Sequence, residues 1–110
     1  MTKKSLTTAY ARRDKLKVRQ VAIKYKYGLD WEEYISLHEK ANGCCEICAK
    51  PVSLMASQDI ETAYVDHCHT TNKVRGILCR VCNVALGGFK DSRLHLQKAI
   101  EYLDKYDSDC

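Results

Sequence analysis

The sequence lacks any long apolar run, and none approaches the roughly 20 residues of a membrane-spanning helix. The basic N-terminus is not followed by the apolar segment of a secretory signal peptide. The 110 residues contain no internal repeat and no second domain, and this length is typical of a single domain. From these absences we expect a small, soluble, intracellular protein rather than a membrane or secreted one.

Acidic residues are almost absent from the first 27 residues. That segment carries nine Lys or Arg and a single acid, Asp14, whereas residues 28–110 carry nine Lys or Arg and thirteen Asp or Glu. We therefore treat 1–27 as a basic arm or helix and 28–110 as the main part of one domain. A segment of this charge is typical of contact with nucleic-acid phosphates, although a solvated basic helix would have the same composition. The residues expected to bind phosphate are Arg12, Arg13, Lys15 and Lys17.

Cysteine, in contrast, is abundant, with seven in the chain. Two pairs have the C-x-x-C spacing of metal ligands, Cys45 with Cys48 and Cys79 with Cys82. Four thiolates complete a tetrahedral sulfur site that suits zinc, and because no coordination position stays open its role is structural. A disulfide framework is the alternative, but a reducing compartment disfavours it.

The other cysteines leave two alternatives open. Cys44 could replace Cys45 with a longer spacer, although the symmetry of two C-x-x-C pairs favours Cys45. Cys68 lies between two histidines and could be drawn into a metal site, while Cys110 is expected to be a bystander.

The hydrophobic pattern predicts a small α+β fold with a β-hairpin and flanking N- and C-terminal helices. In the first helix an apolar stripe of Val18, Val21, Ala22 and Tyr25 lies opposite a basic side that includes Arg19. Either Asp91 or Ser92 can cap the last helix, whose apolar stripe could pack on the core or serve a partner chain. The expected helices cover about 12–27, 31–41, 79–86 and 91–106, and the expected strands 63–66 and 74–78.

A polar cluster lies between the thiol pairs. Asp66-His67-Cys68-His69 ends the first strand and Asn83 follows Cys82. Asp66 and Asn83 offer the hard oxygen ligands of a hydrated magnesium-type ion, beside which a neutral His can take a proton from water. Because side chains alternate along a strand, Asp66 and His67 can serve one site only if the strand ends or bends between them. Spacing does not decide which His is the base, and zinc ligation or a simple polar turn would also account for these residues.

The central motifs of the chain are Val65-Asp-His-Cys-His69, Lys73-Val-Arg-Gly-Ile-Leu-Cys79-x-x-Cys82-Asn83 and Leu86-Gly87. With Lys26-Tyr-Gly-Leu29, Glu33-Tyr34 and Phe89-Lys-Asp91, they resemble the phage recombination endonuclease VII family of HNH, or His-Me finger, nucleases. The resemblance covers about residues 24 to 103. It implies a ββα-metal active site above a four-Cys zinc site. It also implies cleavage of DNA with magnesium or manganese, in a phage-infected or bacterial cell.

Carried onto this sequence, the resemblance makes Asp66 and Asn83 ligands of the catalytic ion. It makes His67 the general base and His69 a helper at the phosphate or leaving group. As a strand cation, Arg75 could clamp a phosphate. The junction-resolving member of the family has an acidic residue where this chain has Leu86, so cleavage of four-way junctions is not implied.

The expected function is a metal-dependent DNA endonuclease of low sequence specificity or structure selectivity, acting as a monomer or a homodimer. The alternative is a zinc-dependent DNA-binding module without catalysis, for which the basic arm and the thiol pairs would suffice.

Overall fold

The computed structural model describes residues 3–55 and 59–107, with side chains described from residue 15 onward. The side chains of Arg12 and Arg13, and the whole of Cys110, lie outside the described residues. The described part is a small α+β fold, which confirms the expected class, and none of its helices is long and apolar enough to cross a membrane. Its elements in chain order are α1 (Lys3–Tyr27), α2 (Trp31–Lys40), β1 (Tyr64–His67), β2 (Val74–Leu78), α3 (Arg80–Gly88) and α4 (Arg93–Lys105).

Helix α1 is longer than predicted and turns a different face to the core. It begins at Lys3 rather than near residue 12. The apolar stripe does not pack on the core, because Val18, Val21 and Tyr25 are 66%, 59% and 90% exposed while Ile23 is fully buried. Arg19 lies one helical turn before Ile23, on the same buried side of α1. Its polar side chain hides this side from a search for apolar residues.

Arg19 lies against the core because its guanidinium finds acceptors there. Its Nε donates to the Leu54 carbonyl at 3.1 Å and its Nη2 to the Tyr34 hydroxyl at 2.8 Å. The Tyr34 hydroxyl in turn donates to the Ala63 carbonyl at 2.7 Å. A charged group can be partly buried when its donors are satisfied in this way, so α1 is attached to the loop before β1.

Helix α2 has the boundaries and cap that its sequence predicts. Gly28 ends α1 with a φ of 70°, a backbone conformation that glycine adopts without strain. The Asp30 N–H then donates to Glu33 Oε1 at 2.9 Å, as in a capping box. On the same helix His38 Nε2 lies 2.7 Å from the Val52 carbonyl, which places the ring at the edge of the core.

The core is small and lies between α1, α2 and the antiparallel hairpin of β1 and β2. Helix α4 contributes no buried residue, and Leu94, Ile100 and Leu103 on it are exposed. So small a core leaves room for a metal to contribute to folding. The buried core residues are Ile23, Tyr34, Cys45, Val52, Ala63, Val65, Ile77, Leu78 and Cys79.

Candidate metal centre and active site

Four cysteine sulfurs meet at one point, and we call them the thiol cluster: Cys45, Cys48, Cys79 and Cys82. Their Sγ atoms all lie within 4.8 Å of one another, and those of Cys48 and Cys79 are 3.7 Å apart. A tetrahedron of thiolates about 2.3 Å from a zinc ion has sulfur–sulfur edges of about 3.8 Å. The cluster can therefore hold one zinc ion. It uses Cys45 rather than Cys44, as the spacing predicts, and Cys68 lies outside it.

Backbone N–H groups of the two cysteine turns point at sulfur atoms of the thiol cluster. The Ile47 N–H points at Cys45 Sγ at 3.4 Å, and the Cys82 N–H points at Cys79 Sγ at 3.4 Å. Cys79 is also the N-cap of α3, where the free N–H groups of the helix favour a negative sulfur. Each C-x-x-C pair is therefore a turn whose N–H groups are directed at thiolate.

The thiols of the cluster differ in acidity. Burial acts to raise the pKa of Cys45, but hydrogen bonds from the surrounding backbone outweigh it and lower the pKa to about 6. Burial raises the pKa of Cys82 to about 12, with further contributions from hydrogen bonds to the neighbouring thiols. Cys45 is thus the more acidic of these two thiols, and a metal ion must displace the proton of Cys82 when it binds.

The first cysteine turn is attached to β2 through Glu46. Its N–H donates to the Ile77 carbonyl at 3.1 Å, and its Oε2 accepts from the Ile77 N–H at 2.7 Å. A Cβ on Gly76 would overlap the Glu46 carboxylate. Glycine at position 76 therefore permits the close approach of the first cysteine turn to β2.

The hairpin has a β-bulge where the polar cluster begins. Asp66 pairs with Gly76 and His67 pairs with Val74, so Arg75 is an extra residue on β2. A bulge bends the strand and redirects the neighbouring side chains. The irregularity lies between Asp66 and His67, where the sequence requires the strand to end or bend if both are to serve one site.

Around the bulge lies a set of polar side chains that we call the acid–histidine cluster: Asp66, His67, His69, Arg75 and Asp91. Arg75 donates from Nε to Asp66 Oδ2 at 2.6 Å, from Nη2 to Asp66 Oδ1 at 3.0 Å, and from Nη2 to Asp91 Oδ2 at 3.3 Å. Asp91 Oδ2 also lies 2.8 Å from His69 Nδ1, and the His69 ring is 5.2 Å from that of His67, edge to face. These contacts form one continuous chain from Asp66 to His67.

Charge within this cluster is unbalanced. Two carboxylates share one guanidinium, and the hydrogen bond to Asp66 raises the pKa of Arg75, which stays charged. Asp66 is buried. Among the described residues, Asp91 Oδ1 is buried and has no hydrogen-bond partner. The cluster therefore has more acceptor oxygens than donors, which favours the binding of a cation or of a further hydrogen-bond donor.

Two cavities open at the cluster. His67 lines one of about 290 Å³ together with Lys26 and Asn72. Asp66 and Arg75 line another of about 260 Å³, whose wall includes Leu86. Leu86 is thus placed where an acidic side chain would reach the Asp66 side of the site, and here it adds an apolar surface instead.

The remaining predicted residues are accessible. Asn83 is half-buried on α3, which packs against β1, and its side chain makes no hydrogen bond within the described part of the chain. Lys15 and Lys17 are exposed on α1. The contacts therefore join four predicted residues, Asp66, His67, His69 and Arg75, and Asn83 is not among them.

Sequence reasoning missed two members of the site, Asp91 and Lys26. Asp91 was indistinguishable from Ser92 as a helix cap, and in the structure Ser92 Oγ accepts the His95 N–H at 3.1 Å. Lys26 has no assigned role in the sequence beyond the basic arm, because its place in the cavity with His67 depends on how α1 packs. Both residues lie in motifs that resemble the endonuclease VII family, Lys26-Tyr-Gly-Leu29 and Phe89-Lys-Asp91, and those motifs are the signal in sequence that could have found them.

Comparison with known proteins identifies relatives of this chain. Gene 59 protein of Mycobacterium phage D29 is 41% identical over 80 residues, covering 72% of this chain and 46% of that protein. Gene 59 protein of Mycobacterium phage L5 is 38% identical over 78 residues, covering 70% of this chain and 44% of that protein. The chain thus spans less than half the length of these relatives, and no solved structure matches it. The family model of recombination endonuclease VII matches residues 20–105, and the chain belongs to that family.

Proposed function

We propose that this protein is a metal-dependent DNA endonuclease of the HNH, or His-Me finger, type. It hydrolyses phosphodiester bonds with low sequence specificity or by recognising DNA structure. The observation that carries the proposal is the chain of contacts from Asp66 to His67 across the β-bulge. It lies next to a thiol cluster in a member of the endonuclease VII family.

In this proposal His67 is the general base. Within the described residues its ring makes no hydrogen bond, and it lines a cavity together with Lys26. A ring nitrogen of His67 takes a proton from the water that attacks phosphorus. His69 contacts the phosphate or the leaving oxygen. The unused N–H groups of Arg75, on a side chain that is 38% exposed, donate to the same phosphate.

Asp66 and Asn83 are the residues that would hold the catalytic ion. The donor chemistry fits, because carboxylate and amide oxygens are ligands of Mg²⁺ and Mn²⁺ and the cluster has an excess of negative charge. A bound ion of this kind supplies Lewis-acid stabilisation of the leaving oxygen. Leu86 in the cavity wall offers no third ligand, so substrate phosphate and water would have to complete the coordination of a bound ion.

The thiol cluster has a separate task in this proposal. All of its positions are filled by thiolates, so a zinc ion there is structural and has no place for a substrate. Residues 28–110 then form the zinc-stapled nuclease part, and residues 1–27 the basic arm. From that arm, the exposed Lys15 and Lys17 on α1 contact DNA phosphates away from the cleavage point.

Nicking of supercoiled plasmid tests the proposal. The zinc-loaded protein should nick with Mg²⁺ or Mn²⁺ and not with EDTA. Replacing His67 with Ala should lower the rate by about 10²–10⁴-fold, the usual contribution of a general base, with unchanged zinc content. His95→Ala is the matched control, because His95 is exposed on α4. Equal rates for wild type and His67→Ala would refute the assigned base.

A zinc-dependent DNA-binding module is the second candidate, favoured by the exposed lysines of α1. Plasmid binding without cleavage under any divalent ion would support it. If cleavage does occur, a panel of linear, nicked, supercoiled and four-way-junction DNA identifies the substrate form. A solution mass measurement on the same sample decides between a monomer and a homodimer.

A further inference from the structure

The turn between α3 and α4 carries an acidic residue that the start of α4 does not need. Ser92 is the N-cap of α4 and accepts the His95 N–H at 3.1 Å. Asp91, immediately before it, points away from that helix and reaches two residues of the hairpin, His69 and Arg75. Its side chain therefore links the α3–α4 turn to the acid–histidine cluster.

The backbone of this turn is strained. Lys90 and Asp91 have φ values of 53° and 57°, in the left-handed region that non-glycine residues seldom adopt. The conformation is held by the Asp91 N–H, which donates to the Leu86 carbonyl at 3.0 Å, and by the Lys90 N–H, which donates to the Gly87 carbonyl at 3.0 Å. Strained residues of this kind are often found where a side chain must be aimed at a functional site.

Stability alone does not account for the position of Asp91. Among the described residues its Oδ1 atom is buried without a hydrogen-bond partner, an arrangement that is unfavourable for folding. Its other oxygen is used twice, by His69 and by Arg75. The unpaired oxygen lowers the stability of the fold, so the position of Asp91 is best explained by its contacts with His69 and Arg75.

The contact with Asp91 determines which nitrogen of His69 is free. An ionised carboxylate can only accept a hydrogen bond, so His69 Nδ1, 2.8 Å from Asp91 Oδ2, must carry a proton. In the neutral ring the lone pair is then on Nε2, which is the atom left for a substrate. The same Asp91 oxygen accepts from Arg75 Nη2, on a guanidinium that is already held by Asp66.

We propose that Asp91 is a positioning residue of the nuclease site. It keeps His69 in the Nδ1–H tautomer with Nε2 toward the substrate phosphate, and it holds Arg75 between two carboxylates. This inference rests on the proposed function. Helix α3 offers the apolar Leu86, not an acidic residue, to the cavity lined by Asp66. Asp91 supplies a carboxylate to the same cluster from the turn after α3.

The tautomer of His69 tests this without any cleavage. Side-chain ¹⁵N chemical shifts of the zinc-loaded full chain, recorded where histidine is neutral, should show the Nδ1–H form for His69 in the wild type. In Asp91→Ala the ring should move to the Nε2–H form that free histidine prefers. Ser92→Ala is the matched control, because it removes the α4 cap from the same turn without touching His69. An unchanged tautomer in Asp91→Ala would overturn the proposal.

Kinetics provide the second readout, on Asp91→Asn, which keeps the shape of the side chain. Its kcat for plasmid nicking should fall about 10–100-fold, the usual effect of losing a residue that orients a catalytic group, while KM changes by less than about threefold. Ser92→Ala should lose thermal stability and retain kcat. Unfolding of Asp91→Asn, or an equal loss of kcat in Ser92→Ala, would show a purely structural role. Absence of nicking in the wild type would refute the nuclease function instead, and the tautomer would still report whether Asp91 holds His69.

Discussion

The thiol cluster and the acid–histidine cluster both adjoin the hairpin of β1 and β2, yet they are built in opposite ways. The thiol cluster has four identical donors around one centre, and two of its members, Cys45 and Cys79, belong to the core. The acid–histidine cluster is an open chain of unlike groups, with His69 57% exposed and one carboxylate oxygen unpaired. A closed set of ligands stabilises a fold, whereas exposed rings and surplus acceptors are suited to binding a substrate.

The largest expected effect, on both folding and zinc binding, comes from a substitution in the thiol cluster. Cys79→Ser should abolish both zinc binding and the folded state, because the free energy of structural zinc binding, roughly 10–16 kcal/mol in small domains, is largely free energy of folding. Zinc content and far-ultraviolet circular dichroism measure the two losses. Cys44→Ser is the matched control, since Cys44 is outside the cluster. If Cys79→Ser kept its zinc and its fold, the structural role would be wrong.

A substitution in the acid–histidine cluster should lower nicking activity but leave zinc bound to the thiol cluster. Arg75→Gln deprives the buried Asp66 of both its donors, and we expect nicking to fall about a hundredfold, as misplaced catalytic groups typically cause. Zinc content should equal that of the wild type. Arg80→Gln is the control, because Arg80 is exposed and uses its backbone N–H, not its side chain, to contact Glu61. A similar loss of nicking in both variants would indicate a general effect of charge on DNA binding.

The contact that joins the two clusters can be tested by itself. Gly76→Ala should destabilise the protein by about 1–3 kcal/mol, because the new Cβ displaces the Glu46 carboxylate from the Ile77 N–H. Chemical denaturation measures the change in the free energy of unfolding. In a Glu46→Ala background the same substitution should cost less, since no carboxylate is left to displace. Equal costs in the two backgrounds would show that Glu46 does not join the clusters.

The smallest effect concerns a cysteine that belongs to neither cluster. A hydrogen bond from the Thr71 side chain lowers the pKa of Cys68 to about 7, so its reactive thiolate forms as the pH rises through about 7. In a zinc-loaded Cys44→Ser/Cys110→Ser chain, the alkylation rate of Cys68 should rise across that pH and level off above it, while the thiol cluster stays protected. Thr71→Val should move the midpoint to higher pH. A midpoint that does not move would refute the role of the Thr71 hydrogen bond.

Much of the local structure was predictable. The capping pattern at Asp30 and Glu33 correctly places the start of α2, and the hairpin strands begin and end within one residue of their expected bounds. The choice of Cys45 over Cys44 also follows from spacing. These features depend on residues close together in the chain, where a turn or a cap has few alternatives.

The packing of α1 was not predictable from its pattern. An apolar stripe on a helix normally faces the core, but here Ile23 does so with Arg19 beside it, because Tyr34 and Leu54 offer acceptors for the guanidinium. Those acceptors lie 15 and 35 residues away in sequence. No periodicity within α1 can reveal partners at such a separation.

By itself, the sequence determined the family, the two thiol pairs and the residues Asp66, His67, His69 and Asn83 as candidates, because motif and spacing are local properties. Only the tertiary structure decided that a bulge separates Asp66 from His67, that Arg75 lies between two carboxylates, and that Asp91 reaches the hairpin. The physical reason is that these contacts join β1, β2 and the α3–α4 turn. Their distances depend on how the thiol cluster and Glu46 hold those elements together.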